Sequence, residues 1–225
     1  MRNKESQIDV AADLRGLESD FDLIAAQIVE VARHCHARGW ALGTSGNFSM
    51  VTSREPLRLA ITTSGLDKGR LTAAQVIEID EAGRPLRGEG RPSAETNVHL
   101  TIARVRGAGA VLHTHSVWST ILSDGFASEG GVNIRGYEML KGLEGVQTHE
   151  HREWLPIVCN TQDWVDGARL VERVLRQHPS AHGLLLQGHG LYTWGRDLAQ
   201  AKRHVEILEF LLEVAGRAGT GSAPC

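Results

Sequence analysis

At 225 residues the chain is long for one domain and short for two, and its 41% hydrophobic and 23% charged residues give the balance of a packed globular protein, not a disordered one. The formal charge of −3 gives no support to a nucleic-acid partner or an anionic membrane, and no apolar run approaches the roughly 20 residues that span a bilayer. Cys35, Cys159 and Cys225 form no C-x-x-C pair, and the polar start MRNKESQIDVAADLRGL lacks the apolar stretch of a secretory signal; both point to a reducing, cytoplasmic setting.

Three- and four-residue spacing of Leu23, Ile24, Ile28, Val31, Ala32 and Cys35 predicts a helix over about 20–38, ended by Gly39. GWALGTSGNFSM is too rich in Gly, Ser and Thr to be regular throughout. RLAITTS and VIEID read as strands, and EAGRPLRGEGRP as turns. Ser93 opens a second helix with Ala94, Val98, Ile102 and Val105 on its buried side. GAGAVLHTH is a strand that gives way to a helix at about Ser116.

From 124 to 152 the pattern is weak, with one short helical piece near 137–141. LPIVCN reads as a strand, 163–177 as a helix, HGLLLQGHG as a strand ending in a loop, and LYTW as a further strand. The last helix starts near Asp197 and carries Val205, Leu208, Leu212 and Ala215, with GRAGTGSAPC as a frayed tail. Strands joined by short turns and interleaved with helices imply an α/β domain with an antiparallel or mixed sheet.

Three H-x-H pairs stand among the 11 histidines. His34 and His36 lie two apart in a helix, point to nearly opposite sides and cannot share a metal, which leaves them as surface positions. His113 and His115 close an apolar strand, where residues two apart share a face, so their imidazoles can converge on one ion. Two hydrogen-bonded histidines at a strand end would look the same.

His149 and His151 have that spacing in the polar VQTHEHREW, which reads as a solvated segment, with His149 left as a neighbour of the active site. A third ligand is His189 in QGHG, where glycines on both sides let the imidazole be aimed into a cleft. Three imidazoles leave a coordination position open, as in a catalytic site.

Two loops suit an anion. Thr44-Ser45-Gly46-Asn47 offers hydroxyls, an amide and a freed backbone; Thr62-Thr63-Ser64-Gly65, followed by Lys68, adds a cation. Neither is a P-loop, and no G-x-G-x-x-G follows a strand. Glu95 starts a helix, where an acid is ordinarily a partner of the helix dipole, and Glu138 sits in the weakly patterned segment.

In order along about 22–215, TSGNFS, TTSGLDKG, PSAETNVH, GAGAVLHTHS and QGHGLYTWG resemble the class II aldolase family of zinc-dependent sugar-phosphate enzymes. The resemblance implies a three-layer α/β fold, its mixed, mainly antiparallel central sheet covered by helices on both sides. It implies one domain over 1–225 with short flexible tails, in a homotetramer with active sites at subunit contacts.

The resemblance further implies one Zn2+ per subunit on His113, His115 and His189, with a small sugar phosphate as substrate. Glu138 becomes the catalytic acid/base, Glu95 the acid beside the metal, and Gly46, Asn47, Ser64, Gly65 and Ser93 the phosphate site, next to Thr44 and Lys68. Where aldolases carry P-S-S-E this chain has Ala94, one hydroxyl fewer. The segment GYEMLKGLEGVQTHEHREWLPIVCNTQD is more similar to that of the family's dehydratases than to aldolases or epimerases. Retro-aldol cleavage and C4 epimerisation, which use the same metal chemistry, stand as alternatives. A non-catalytic relative of the fold is a further one, against which the three histidines count.

Overall fold

The computed structural model describes residues 20–219; the polar start of the chain, Cys225 and most of the expected tail lie outside the described residues. Nine strands form one sheet: β1 (Asn47–Arg54), β2 (Leu57–Thr62), β3 (Val76–Ile79), β4 (Pro85–Arg87), β5 (Ala110–Thr114), β6 (Gly131–Arg135), β7 (Arg152–Val158), β8 (Gly183–Leu186) and β9 (Gly190–Gly195). Their order is β4-β3-β2-β1-β5-β9-β8-β7-β6. Only β7 and β8 run parallel, joined through a helix, so the sheet is mixed and mainly antiparallel.

Five helices cover it: α1 (Asp20–Ala37), α2 (Thr96–Arg106), α3 (Val117–Gly125), α4 (Trp164–Gln177) and α5 (Leu198–Ala218). Helices α1, α3 and α5 share one face, where Ile28, Ala32, Leu112, Leu191, Val205 and Leu208 are buried together. Helices α2 and α4 share the other, over Val98, Ile102, Val111, Val171, Leu184 and Tyr192. The three-layer α/β expectation holds. Among the described residues no helix is long and apolar enough to cross a membrane.

Side-chain alternation along β5 decides what lies where. Val111 and His113 face the α2 side, whereas Leu112 and Thr114 face α5. Antiparallel pairing sets His113 opposite Asn47 of β1 on one side and Tyr192 of β9 on the other. The strand bearing the histidines is therefore central.

Several elements depart from the sequence reading. Strand β1 begins inside the Gly/Ser/Thr-rich stretch, and its polar residues are held by long-range bonds: Ser49 to His99 at 2.7 Å and Thr52 to Glu78 at 2.7 Å. Strand β4 forms within the expected turns and β6 within the weak segment. Helix α2 starts at Thr96, not Ser93, and α5 continues to Ala218, taking in the first residues of the expected tail. His34 and His36 are half-buried and not surface positions. His34 Nε2 lies 2.8 Å from Glu206 of α5, and His36 donates Nδ1–H to the Ala41 carbonyl at 3.0 Å.

Helix α5 is fixed at its start by Asp197, whose carboxylate accepts the Gln200 N–H at 2.8 Å. Asp197→Ala leaves that donor without its partner and is expected to lower the unfolding free energy by about 1 kcal/mol, read by urea denaturation. An unchanged midpoint would remove the cap from the account of α5.

Candidate metal centre and anion-binding rim

His113, at the end of β5, and His115, just beyond it, point their Nε2 atoms at one another at 2.9 Å. The turn between β8 and β9 brings in His189, whose Nε2 lies 3.4 Å from that of His113 and 3.2 Å from that of His115. Gly190 is what allows this approach. A Cβ there would lie 2.1 Å from the Thr114 carbonyl oxygen, so no larger residue fits.

The tautomers follow from the outer nitrogens. His113 donates Nδ1–H to the Leu191 carbonyl at 2.9 Å, and His189 donates Nδ1–H to Asn160 Oδ1 at 3.2 Å. Their Nε2 atoms then carry bare lone pairs that face each other, which is unfavourable without a cation between them. Tetrahedral nitrogens about 2.0–2.1 Å from one ion stand roughly 3.3 Å apart, close to the separations seen. Partners on the far nitrogen are also how ligating imidazoles are normally oriented. The set fits a divalent metal.

Glu95 completes the cluster. Its Oε1 is 3.1 Å from His189 Nε2 and its Oε2 is 3.5 Å from His113 Nε2. It occupies the N-cap of α2 yet makes no capping bond, so the helix-dipole role expected of it is not the one it plays. Asn47 holds it by donating Nδ2–H to Oε2 at 2.6 Å, while His99 bonds to the Asn47 carbonyl oxygen. Burial pushes the Glu95 carboxyl up, but the opposing pull of His113, His189 and Asn47 is larger and leaves it well below the usual carboxylate range.

Burial likewise holds His113 well below its ordinary value and His115 down to about 4, so both rings are neutral at pH 7. His99, fully buried, is held down to about 4 by desolvation.

Beside the cluster lies a cavity of about 330 Å³ lined by Thr44, Gly46, Ser64, Gly65, Lys68 and Ser93, among others. The expected anion-loop residues are thus brought together with His115 and His189, except Thr62, which is buried in β2 and accepts the Phe48 N–H. Two of them are not what they looked like in sequence. The Asn47 amide is spent on Glu95, His99 and, at 3.3 Å, Ser93 Oγ. Lys68 is buried and donates to the carbonyls of Thr44 at 3.1 Å and Leu66 at 2.8 Å, stitching the two loops together with one N–H left over. Burial lowers its pKa to about 8.

Glu138 is not in this cavity. It sits in a short 3₁₀ turn after β6, an edge strand, where it is exposed, accepts from Lys141 Nζ at 2.7 Å and lies 3.9 Å from His149 Nδ1. The Lys141 bond lowers its pKa. His151, expected to be solvated, instead places Nε2 2.9 Å from the buried carboxylate of Glu153. Glu153 also accepts from His182 Nδ1 at 2.9 Å, while His182 Nε2 donates to the Glu144 carbonyl at 2.9 Å. Both ring nitrogens of His182 thus face acceptors, and although burial works against the charge, the Glu153 bonds raise its pKa. This second group is a half-buried cluster of two imidazoles around one buried carboxylate, with its bonds made within the fold.

Sequence reasoning missed Asn160, His99, Trp164 and Glu209. Glu209 of α5 is buried beneath β5 and accepts from Thr114, the residue between two of the histidines; burial pushes its carboxyl up to about 7. One signal was available, since Glu209 lies one turn after Val205 on the apolar face of α5.

The Class II Aldolase and Adducin N-terminal domain family matches residues 26–215. The chain is 44% identical over 200 residues to the methylthioribulose-1-phosphate dehydratase of Sorangium cellulosum (strain So ce56), covering 88% of this chain and 93% of that one. It is 43% identical to the enzyme of the same name from Methylococcus capsulatus (strain ATCC 33009 / NCIMB 11132 / Bath), over 89% and 96% of the two chains. Among solved structures it resembles an L-fuculose 1-phosphate aldolase with a TM-score of 0.75 at 20% identity, covering 93% and 91% of the chains. It also resembles the L-fuculose-1-phosphate aldolase of Thermus thermophilus, with a TM-score of 0.69 at 24% identity over 90% and 100% of the chains.

Replacing His113, His115 or His189 by Ala is expected to release bound metal, measured by elemental analysis of purified protein. Stoichiometric metal in all three variants would disprove the ligand set. For the metal-free protein the pH dependence has a definite sign. His99 and His115 keep folded values near 4 against 6.5 for a free imidazole, so between about pH 6.5 and 4 the unfolded chain binds protons that the folded chain refuses. Unfolding free energy from urea titrations should therefore fall as pH drops from 7 to 4, reinforced by the lowered His113 and His204 and opposed by His182 and Glu209, whose folded values are raised. A flat profile would contradict the neutral, buried state of these rings.

Proposed function

The chain belongs to the class II aldolase family, and from that premise we propose that it is a metal-dependent hydro-lyase that removes water from 5-methylthioribulose 1-phosphate. The product is 2,3-diketo-5-methylthiopentyl 1-phosphate, a step of methionine salvage. The observation that carries this reading is the convergence of three imidazole Nε2 atoms and the Glu95 carboxylate at the edge of a cavity rimmed by hydroxyls and one buried lysine. The dehydratase identity, and not aldol cleavage, is supported by relatives at 44% and 43% identity over most of both chains. Likeness to the aldolases at 20% and 24% supports the fold alone.

Zinc is the ion that three imidazoles favour, and when bound it supplies Lewis-acid stabilisation of the charge that develops on the substrate's carbonyl oxygen. The chain's own groups do the rest. The backbone N–H groups and hydroxyls around Gly46, Ser64, Gly65 and Ser93, with the remaining N–H of Lys68, receive the phosphate and fix the distance from C1 to the cluster. Glu95 is assigned the C3 proton in this reading, supported by its being held ionised and oriented by Asn47. The C4 hydroxyl leaves as water once an acid protonates it, a role given to Glu138.

Glu138 follows β6 at the end paired with the start of β7, whereas Gln162 and Trp164 follow the other end of β7, so in this reading the Glu138 carboxylate meets a cavity from a neighbouring subunit. A homotetramer with active sites at subunit contacts supplies that arrangement, and exposed Met139 beside Glu138 gives the contact an apolar component. Burial in such a contact raises the carboxyl towards the value an acid needs. Free Cys35 and Cys159 accord with a reducing cytoplasm.

Incubating zinc-loaded protein with methylthioribulose 1-phosphate should produce diketone absorbance; release of a two- or three-carbon fragment instead would replace dehydration by aldol cleavage. Glu138→Gln should keep its zinc and lose about 10²-fold or more in kcat. Mixing Glu138→Gln with His115→Ala subunits should restore activity that neither parent has. A reassembled mixture as inactive as its parents would return Glu138 to its own subunit or remove it from the reaction.

A further inference from the structure

We propose that Trp164 forms the subsite for the apolar C5 end of the substrate, on the flank of the histidine cluster opposite the anion-binding rim. This rests on the substrate class given above. The sheet order supplies the geometry. The rim loops flank β1 and β2, on one side of β5. The remaining wall of the cavity is built from Gln162 and Trp164, which follow β7, and from His189 between β8 and β9, on the other side of β5.

Lys68 is the cation in the cavity lining, and it belongs to the rim. A ketose phosphate gripped at C1 by that rim, with its carbonyl at the histidines, must direct C5 away from β1 and β2. It then meets the β7 flank, where the lining offers an indole and an amide and no charge.

The indole is fixed in place. Trp164 is the first residue of α4, whose N-cap Asp163 accepts the N–H groups of Val165 at 3.0 Å and Asp166 at 3.1 Å. Asp163 is itself held by its N–H to Thr161 Oγ1 at 3.0 Å. Gly167, one turn on, makes room for the ring: a Cβ there would lie 3.1 Å from Trp164 Cε3 and 2.8 Å from Thr161 Cγ2. The indole is 8% exposed and meets the His189 ring edge to face at 5.9 Å. It therefore stands directly beside the cluster. Val165, which is 56% exposed, extends the apolar character next to it.

A methylthio group is apolar and polarisable, and sulfur packs favourably against aromatic rings. Beyond the His189 ring, the Gln162 amide is what that flank offers a hydroxyl, and its lining has no cation for a second phosphate. Trp164 thus reads the tail of the substrate while the histidines and the rim read the head.

The test compares kcat/KM for methylthioribulose 1-phosphate with that for the analogue bearing hydrogen in place of the methylthio group. Wild-type zinc enzyme should prefer the thioether by about tenfold or more, the discrimination one apolar group commands in a fitted pocket. Trp164→Ala and Trp164→Gln should bring the ratio close to one, chiefly through KM, and Trp164→Leu should retain most of it. Because each ratio is taken within one preparation, it does not depend on the folded fraction, and either of the first two variants suffices. Wild-type discrimination that survives in Trp164→Ala or Trp164→Gln, or a wild type that does not discriminate, overturns the subsite alone. A zinc-loaded wild type that turns over neither compound overturns the dehydratase reading and the subsite with it.

Discussion

Three imidazole nitrogens between 2.9 and 3.4 Å apart are the constraint on which the rest of the molecule depends. Two of them carry lone pairs by necessity, because their rings have given the other N–H to a backbone carbonyl and to a side-chain amide. Such a grouping is repulsive by itself and becomes favourable only around a cation. The fold must therefore hold it in place before any ion arrives, and it does so with buried, non-local elements. His113 lies in the middle strand of the sheet, stacked on Tyr192 of β9 at 3.9 Å between ring centres.

Alternation along β5 gives each face of the sheet its own task. On the α2 side His113 meets Glu95, which Asn47 holds and His99 in turn backs; on the α5 side Thr114 is tied to Glu209. One carboxylate, surrounded by imidazoles and an amide, is kept ionised. The other, buried in an apolar layer with hydroxyl donors, is pushed up to about 7. A third, Glu138, is exposed and paired with Lys141. The three glutamates differ in chemistry because they differ in surroundings.

The cavity is polar in a directional way. Its rim at β1 and β2 concentrates N–H donors, hydroxyls and a buried lysine that ties two loops to each other, while its opposite wall is an indole locked by a helix cap. A substrate with an anionic head and an apolar tail has one favourable way to lie across it.

How much of this was legible in the chain itself depends on the range of the forces involved. Local patterning determined the helices, most of the strands and the three histidines, because three- and four-residue spacing and the H-x-H strand end are properties of neighbouring residues. It could not recognise β1, whose Ser49, Thr52 and Ser53 look like a loop until His99 and Glu78 arrive from elsewhere to satisfy the first two. It read Asn47 as a phosphate contact, His151 as solvated and Glu95 as a helix-end acid, since each partner lies far away in sequence. Only the tertiary structure decided those roles, and with them the places of Glu209, Asn160 and Trp164. Burial and long-range hydrogen bonding assign a polar side chain its charge and its task, and neither exists until the sheet has brought distant strands together.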